Sequence, residues 1–449
     1  MGRFYYLYFM HSIVTKLKFL IFSFLICYCN TSTATPTDTL NIQNQCLSVH
    51  NQWMDLIIEL TKNTPGYTAP VASRTYNYLS IGMYEASLGL LPGNYSLENQ
   101  IYAYKKPQLD GINIQSYPSF VNAINYYLVL HFFKNMSPTY KLKVESLFKK
   151  LNKHCFLRKK NDLDKEVKSL VQAILSVAKS DGASNAWNNN FPSDYTPPNC
   201  DACWVKTSPG YISALQPYWG DNKLMIRKNR VISENIPFLP FSTDTNSAFY
   251  TEVDTIFKMY KKLDQHKINT AKYWDDAAGV SGTPVGHLYH IACQTAKNQN
   301  LDLQKTVELY TLLGISLNDA VIESWRLKYS YNLIRPITYI QKHISPQFST
   351  PIPTPPFPEF PSGHSYQAGA SNQVFNYIFG DKLSISDNAN ERRVDINGAV
   401  RNFPNFNQMA EEMSISRFFG GIHYLHTLTI SLEYGRRIGK NTLSSIKLH

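Results

Sequence analysis

The chain has 449 residues, 43% of them hydrophobic, 13% aromatic and 17% charged, which supports a sizeable core in one large or two fused compact units and excludes global disorder. Its formal charge is +11, but no basic run of five, zinc-finger spacing or aromatic-basic sheet motif accompanies that excess. Nucleic-acid binding is therefore not expected, and a basic surface with a small-anion site suits the numbers.

The only apolar run near membrane length lies at the N-terminus, so a polytopic membrane protein is excluded. Residues 17–28 read LKFLIFSFLICY and are followed by NTSTATPT. A charged start, a short apolar middle and small residues predict a secretory signal over residues 1–34, with Ser32-Thr33-Ala34 as its cleavage site and Met10 as an alternative start. Cys27 and Cys29 mark a lipid anchor as the alternative. Either way the chain is expected to be exported, periplasmic or secreted. Five cysteines follow the leader, Cys46, Cys155, Cys200, Cys203 and Cys293. The close pair Cys200-Asp-Ala-Cys203 reads as a local disulfide rather than as half of a zinc site.

Periodicity near 3.6 predicts helices over 46–62, 72–90, 120–134, 138–152, 163–180, 246–262, 285–298, 304–320, 364–379, 408–419 and 424–440. A further helix over 314–334 is closed by Arg335-Pro336, because the residue before proline resists the α conformation. Convincing alternating strands are absent. The expected fold is all-α, with helical bundles and long irregular loops. Residues 45–300 form its N-terminal half and 301–440 a C-terminal catalytic half. Seven prolines in residues 345–361, SPQFSTPIPTPPFPEFP, predict a stiff extended strap that ends directly on Ser362-Gly363-His364.

Three segments carry the chemistry. In the first, Lys328 and Arg335 are seven residues apart, which on one helix puts both cations on one face about 10 Å apart. In the second, Pro361-Ser362-Gly363-His364 opens a helix. Ser362 suits an N-cap, Gly363 admits an anion to the backbone, and the first-turn N–H groups need a partner. In the third, Ser416-Arg417-Phe-Phe-Gly-Gly-Ile-His423, paired glycines break one helix from the next and aim Arg417 and His423 into a shared space. Three cations, a hydroxyl, backbone N–H groups and two histidines suit a phosphate-like or vanadate-like oxyanion better than a carboxylate. His287 and His290, on an apolar helix, read as core rather than as a metal pair. No Walker loop, dinucleotide glycine fingerprint or Gly-x-Ser-x-Gly elbow is present.

The ordered set KYSYNLIRP, PSGH and SRFFGGIH resembles the three-part motif of the vanadium-dependent haloperoxidases and type-2 phosphatidic acid phosphatases. GYTAPVASRTYNYLSIGMYEA, WVKTSPGYISALQPYWG and TPPFPEFPSGH extend the likeness to the soluble exported bacterial haloperoxidase-like branch, over about residues 45–440. The resemblance implies a vanadium chloroperoxidase-like helical fold with vanadate as cofactor, or phosphate in the alternative reading. Lys328, Arg335 and Arg417 would neutralise its oxygens, and Ser362 and the Gly363 N–H would hydrogen-bond it. His423 would be the axial ligand and His364 the acid/base, with Lys328 polarising bound peroxide. Trp325 and Phe357 match halide-pocket aromatics, and Asp276 resembles an acid that pairs with Arg335. One departure stands out: Thr427 occupies the position, four after the axial histidine, where the family usually has Asp.

The leading functional expectation is a haloperoxidase that oxidises halide with hydrogen peroxide to hypohalous acid, for transfer to an organic acceptor. The second is a soluble acid phosphatase in which His423 attacks a phosphomonoester. The third is an oxyanion-binding protein without turnover.

Overall fold

The computed structural model describes residues 36–109, 112–153, 163–231 and 236–449. The leader with Cys27 and Cys29, and also Cys155, lie outside the described residues. Gln43–His449 form one compact unit, and the described residues before it are the start of the first helix.

The described residues are overwhelmingly helical. In chain order the helices are α1 Pro36–Asn63, α2 Ala69–Ser87, α3 Tyr117–Phe132, α4 Pro138–Lys153, α5 Asp164–Ser180, α6 Ala248–Tyr260, α7 Gln265–Tyr273, α8 Thr283–Asn298, α9 Leu303–Tyr331, α10 Pro336–His343, α11 Gly363–Phe379, α12 Phe406–Phe419 and α13 Leu425–Ser445. A small antiparallel pair, β1 Ile385–Asp387 and β2 Arg401–Phe403, is the exception. Three residues per strand are too few for alternation to register in the sequence. The helices α7 and α10 were not expected either. QHKINTAKY carries no apolar stripe and is started instead by the Asp264 side chain, which accepts from the Lys267 N–H at 2.8 Å. Helix α10 begins at the same Pro336 that reads as a stop.

The long helix α9 unites the two stretches expected at 304–320 and 314–334. It is buried on nearly every side, packing against α2, α8, α11 and α13, so it is a central pillar without a solvent face. It ends earlier than expected, at Tyr331, because Asn332 turns left-handed (φ 52°) and its N–H caps Lys328 O at 2.8 Å. Lys328 and Arg335 consequently do not share a helix face. Arg335 is extended and is the N-cap of α10, with Pro336 in the first helical position, where a missing N–H costs nothing.

The turn that carries Arg335 is bracketed on two sides. Trp204 N donates to Asn332 O (2.7 Å) and Ile334 N to Ala202 O (2.8 Å), while Glu359 N donates to Leu333 O (2.9 Å). Ala202 sits inside the Cys200–Cys203 disulfide, which is present. Cys46 and Cys293 are buried. No helix among the described residues is long and apolar enough to cross a membrane.

The pair α11 and α13 packs most extensively, and it does so through glycine. A Cβ on Gly369 would lie 2.2 Å from Leu432 O, and one on Gly435 would lie 2.2 Å from Tyr366 O. Both obstacles are backbone, which cannot swing away. This contact sets the distance between the start of α11 and the start of α13, where Ser362 and His423 lie. Gly435→Ala is therefore expected to cost about 1–3 kcal/mol through overpacking, read as a lowered melting temperature. A melt matching the wild type would show that the helices do not meet this closely.

Candidate active site

The three sequence segments converge. Lys328, Arg335, Ser362, Arg417 and His423 are all buried, at 0%, 0%, 0%, 1% and 2% exposure, although they come from three distant parts of the chain. His364 keeps part of its surface exposed.

The cations are held mainly by carbonyls. Lys328 Nζ donates to Pro358 O (2.9 Å), Glu359 O (3.1 Å) and Pro361 O. An ammonium has three hydrogens, so all are committed to the proline strap, and Lys328 presents charge rather than a donor. Arg335 donates to Phe357 O (2.9 Å), Ile422 O (2.8 Å) and His423 Nε2 (3.2 Å). Arg417 donates to Trp274 O (2.8 Å) and lies 3.6 Å from Asp275. Burial, helped by the neighbouring Arg335 charge, pushes the Lys328 pKa well below its usual value. Burial also lowers Arg335 to about 10 and lowers Arg417. The pocket carries more positive charge than its surroundings neutralise.

His423 sits between the glycine break after α12 and the start of α13. Gly421 takes the left-handed φ of 69° that the reversal requires. The Nε2 of His423 can only accept from Arg335, since a guanidinium has no acceptor. Its proton is therefore on Nδ1, which donates to Glu359 Oε1 at 2.7 Å. Glu359 also accepts from Tyr424 N (3.2 Å) and Thr427 Oγ1 (3.0 Å). Thr427, where an Asp is usual, is thus one hydrogen bond away from a carboxylate supplied by another segment. Burial pushes Glu359 up to about 7 against the pull of Arg335 and Lys328. Burial, then Arg335, Lys328 and Arg417, hold His423 well below the usual imidazole value, so its Nε2 stays unprotonated and keeps the lone pair that accepts from Arg335.

Ser362 caps α11 as expected. Its Oγ accepts from Ser365 N (3.3 Å) and Ser365 Oγ (3.0 Å), which leaves its own hydrogen to point elsewhere. The imidazole of His364 is kept neutral by burial and then by Arg417, while the backbone of Trp274 and Asp275 works the other way. Trp325 and Phe357 wall the site. Their ring centroids are 5.1 Å apart, Trp325 Cζ3 would be 3.3 Å from a Cβ on Gly363, and the Phe357 ring lies 4.9 Å from Lys328 Nζ and 5.1 Å from Arg335 Cζ.

Asp276 is placed differently from the expectation. Its carboxylate bonds His287 Nδ1 at 2.9 Å, so it does not pair with Arg335. The acid beside Arg417 is the neighbouring Asp275, and the one that acts on Arg335 is Glu359. The turn there faces the two side chains of Asp275 and Asp276 in different directions, which a sequence offset of one residue conceals. His287 and His290 are likewise not a metal pair: His287 lies between two carboxylates and His290 bonds Asn388 Oδ1 at 2.7 Å. No cluster of three or more metal-ligating side chains occurs among the described residues. The residue that sequence reasoning missed is Glu359. Its signal was present, since it is the only charged residue in the strap of residues 345–361.

Arg335 Nη2, Arg417 Nε and His364 Nε2 are buried with no protein partner. Orphaned buried donors cost about 1–3 kcal/mol each unless something satisfies them. A compact oxyanion ringed by cations, able to take the His423 Nε2 lone pair in place of the bond from Arg335, fits this set of groups, and vanadate is such an anion.

A family model described as "VCPO second helical-bundle domain" matches residues 342–449. The structure superposes on a bacterial vanadium-dependent iodoperoxidase with a TM-score of 0.72 at 26% identity, covering 89% of this chain and 96% of that one. Residues 342–449 thus resemble the second helical bundle of the vanadium chloroperoxidases, and the chain shares the helical fold of the vanadium haloperoxidases. The holo and apo forms of a bacterial vanadium-dependent chloroperoxidase share the fold, with a TM-score of 0.59 in each case, at 17% and 16% identity. They cover 88% and 87% of this chain and 92% and 94% of theirs. No curated protein matches the sequence significantly.

In this chain the carboxylate behind His423 comes from the strap. Glu359→Ala is expected to weaken oxyanion binding about 10- to 100-fold, as when the partner of a metal-ligating histidine is lost. Thr427→Ala, which removes one donor to that carboxylate, should cost less. Equilibrium binding of vanadate to the purified protein measures both, and an unchanged affinity in Glu359→Ala would refute the role.

Proposed function

We propose that this chain is a vanadium-dependent haloperoxidase that oxidises a halide with hydrogen peroxide to hypohalous acid. The observation that carries the reading is the set of unpartnered buried nitrogens on Arg335, Arg417 and His364 around the carboxylate-backed His423, walled by Trp325 and Phe357. Bound vanadate would supply Lewis-acid activation of peroxide.

The chain's own residues would divide the remaining work. Arg335 and Arg417 donate their unspent N–H groups to the anion, and Ser362 adds its hydroxyl hydrogen and Gly363 its backbone N–H. The Nε2 of His423 anchors the central atom. Lys328 acts through its charge, since its hydrogens are spent on the strap, and reaches an anion oxygen only by releasing a carbonyl. His364, neutral and unpartnered at Nε2, takes or gives the proton that peroxide chemistry moves. The aromatic wall excludes water and gives a large soft anion a weakly electropositive ring edge. Export, periplasmic or secreted, is part of this proposal and rests on the leader.

A phosphatase remains the second reading, because a neutral imidazole with a carboxylate at Nδ1 is also a competent nucleophile toward phosphorus. The two readings separate in one assay. Vanadate-loaded protein with peroxide is expected to brominate or iodinate a small acceptor, and vanadate is expected to suppress any phosphatase activity of the anion-free form. Efficient phosphomonoester hydrolysis without halide oxidation would reverse the assignment.

The two histidines are expected to fail differently. His423→Ala should lose most vanadate affinity. His364→Ala should keep the anion and lose about 10²–10⁴-fold in rate. Equal loss of affinity in both would contradict these roles. Phe357→Ala should lower halogenation or change halide preference while vanadate stays bound.

A further inference from the structure

Behind the site lies a second buried cluster, built of residues other than those assigned above to the oxyanion. His287, on α8, points Nδ1 at Asp276 (2.9 Å) and Nε2 at Asp387 Oδ2 (2.8 Å). Side-chain exposures of 2% for the histidine and 0% for both carboxylates seal the group from solvent. Ionised carboxylates only accept, so both ring nitrogens must carry hydrogen. Burial alone would lower the pKa of the imidazole, but the two carboxylates outweigh it and push it up to about 10. The cluster is thus a charge-assisted clamp between α8, β1 and the turn after α7.

That turn is the connection to the chemistry. The Trp274 indole stacks on the His287 ring at 4.7 Å and 18°, and its Nε1 donates to Glu412 at 2.9 Å. The Tyr273 hydroxyl donates to Asp387 O at 3.1 Å. Asp276 adopts the left-handed φ of 50°, a sparsely populated conformation for a non-glycine residue that persists only when its surroundings over-determine it. The carboxylate bond to His287 provides that constraint. Between the two tethered residues, the Trp274 carbonyl accepts from Arg417, the Asp275 carboxylate faces the same guanidinium, and the backbone of both residues bears on His364.

We propose that His287, clamped between Asp276 and Asp387, is a positioning residue that fixes the Trp274–Asp276 turn and through it aims Arg417 and His364 at the bound oxyanion. Nothing in this arrangement depends on peroxide or halide, so it goes beyond the haloperoxidase reading and is tested apart from it.

His287→Phe removes both hydrogen bonds but leaves two buried carboxylates together, so that variant alone could fail by unfolding. Asp276→Gly is cleaner. It keeps the His287–Asp387 pair, suits the left-handed backbone, and deletes the tether together with one negative charge near Arg417, a charge that Asp276→Asn removes as well. The test uses peroxide-free protein, with vanadate affinity measured by equilibrium dialysis across pH and foldedness checked by thermal melting. We expect folded Asp276→Gly to bind vanadate about tenfold more weakly, with a displaced pH dependence. Asp276→Asn, whose amide oxygen still accepts from Nδ1, should restore most of both. Wild-type affinity and pH profile in folded Asp276→Gly would overturn the proposal. So would a loss that Asp276→Asn shares in full, because an accepting oxygen would then make no difference. A protein that binds vanadate as described but oxidises no halide would sink the haloperoxidase reading and leave this one standing.

Discussion

Three cations are buried here with only the carboxylates of Glu359 and Asp275 close to them. A buried charge is normally paired or neutralised, because desolvation is expensive. Lys328, Arg335 and Arg417 are instead solvated largely by neutral backbone carbonyls, those of Phe357, Pro358, Glu359, Pro361, Ile422 and Trp274. A carbonyl dipole satisfies a donor without cancelling its charge. The result is a pre-organised positive potential that an entering oxyanion meets at once, with no cationic side chain needing to be drawn in from solvent. The nearby acids are arranged so as not to defeat this. Glu359 spends its oxygens on His423, Tyr424 and Thr427, and Asp275 stands 3.6 Å off at the partly exposed edge.

Such a centre can exist only after distant segments have met. Arg335 arrives because α9 stops at Asn332, His423 because two glycines break α12 from α13, and Ser362 because the strap ends on an N-cap. The shared reference for the last two is the close glycine contact of α11 with α13. Every side chain at the anion position is therefore placed by an element end rather than by the middle of a helix. Element ends are where backbone N–H and C=O groups lack intrahelical partners, so they offer polar groups to a ligand without breaking a helix.

What could be read from the sequence follows from whether a feature is local. The serine cap at 362, the helix it opens, the glycine break after Arg417 and the unbroken strap depend on a few neighbouring residues, and the structure has them where the sequence puts them. The shared face for Lys328 and Arg335 fails because the helix ends on a left-handed asparagine, a tertiary choice reinforced by pairing with residues 202–204 and 359. The misassigned partner of Asp276 fails because a left-handed residue rotates neighbouring side chains apart, so a one-residue alignment ambiguity becomes a different partner altogether. Glu359 was overlooked because its role requires knowing that the strap folds back over His423. A lone carboxylate among prolines is nonetheless an odd enough neighbour to have prompted the question.

The strap has one more consequence. Each proline lacks an N–H, so a stretch with seven of them between positions 346 and 361 is a backbone with nearly a full complement of acceptors and a depleted set of donors. Wrapped around an ammonium, it acts as a one-sided ligand in the manner of a crown ether: its oxygens can turn inward, while few donors remain that would need partners of their own. Proline also restricts the unfolded chain, so much of the entropy lost in closing this ring of oxygens around Lys328 was never present in the first place. The cage is, in that sense, partly assembled before the protein folds.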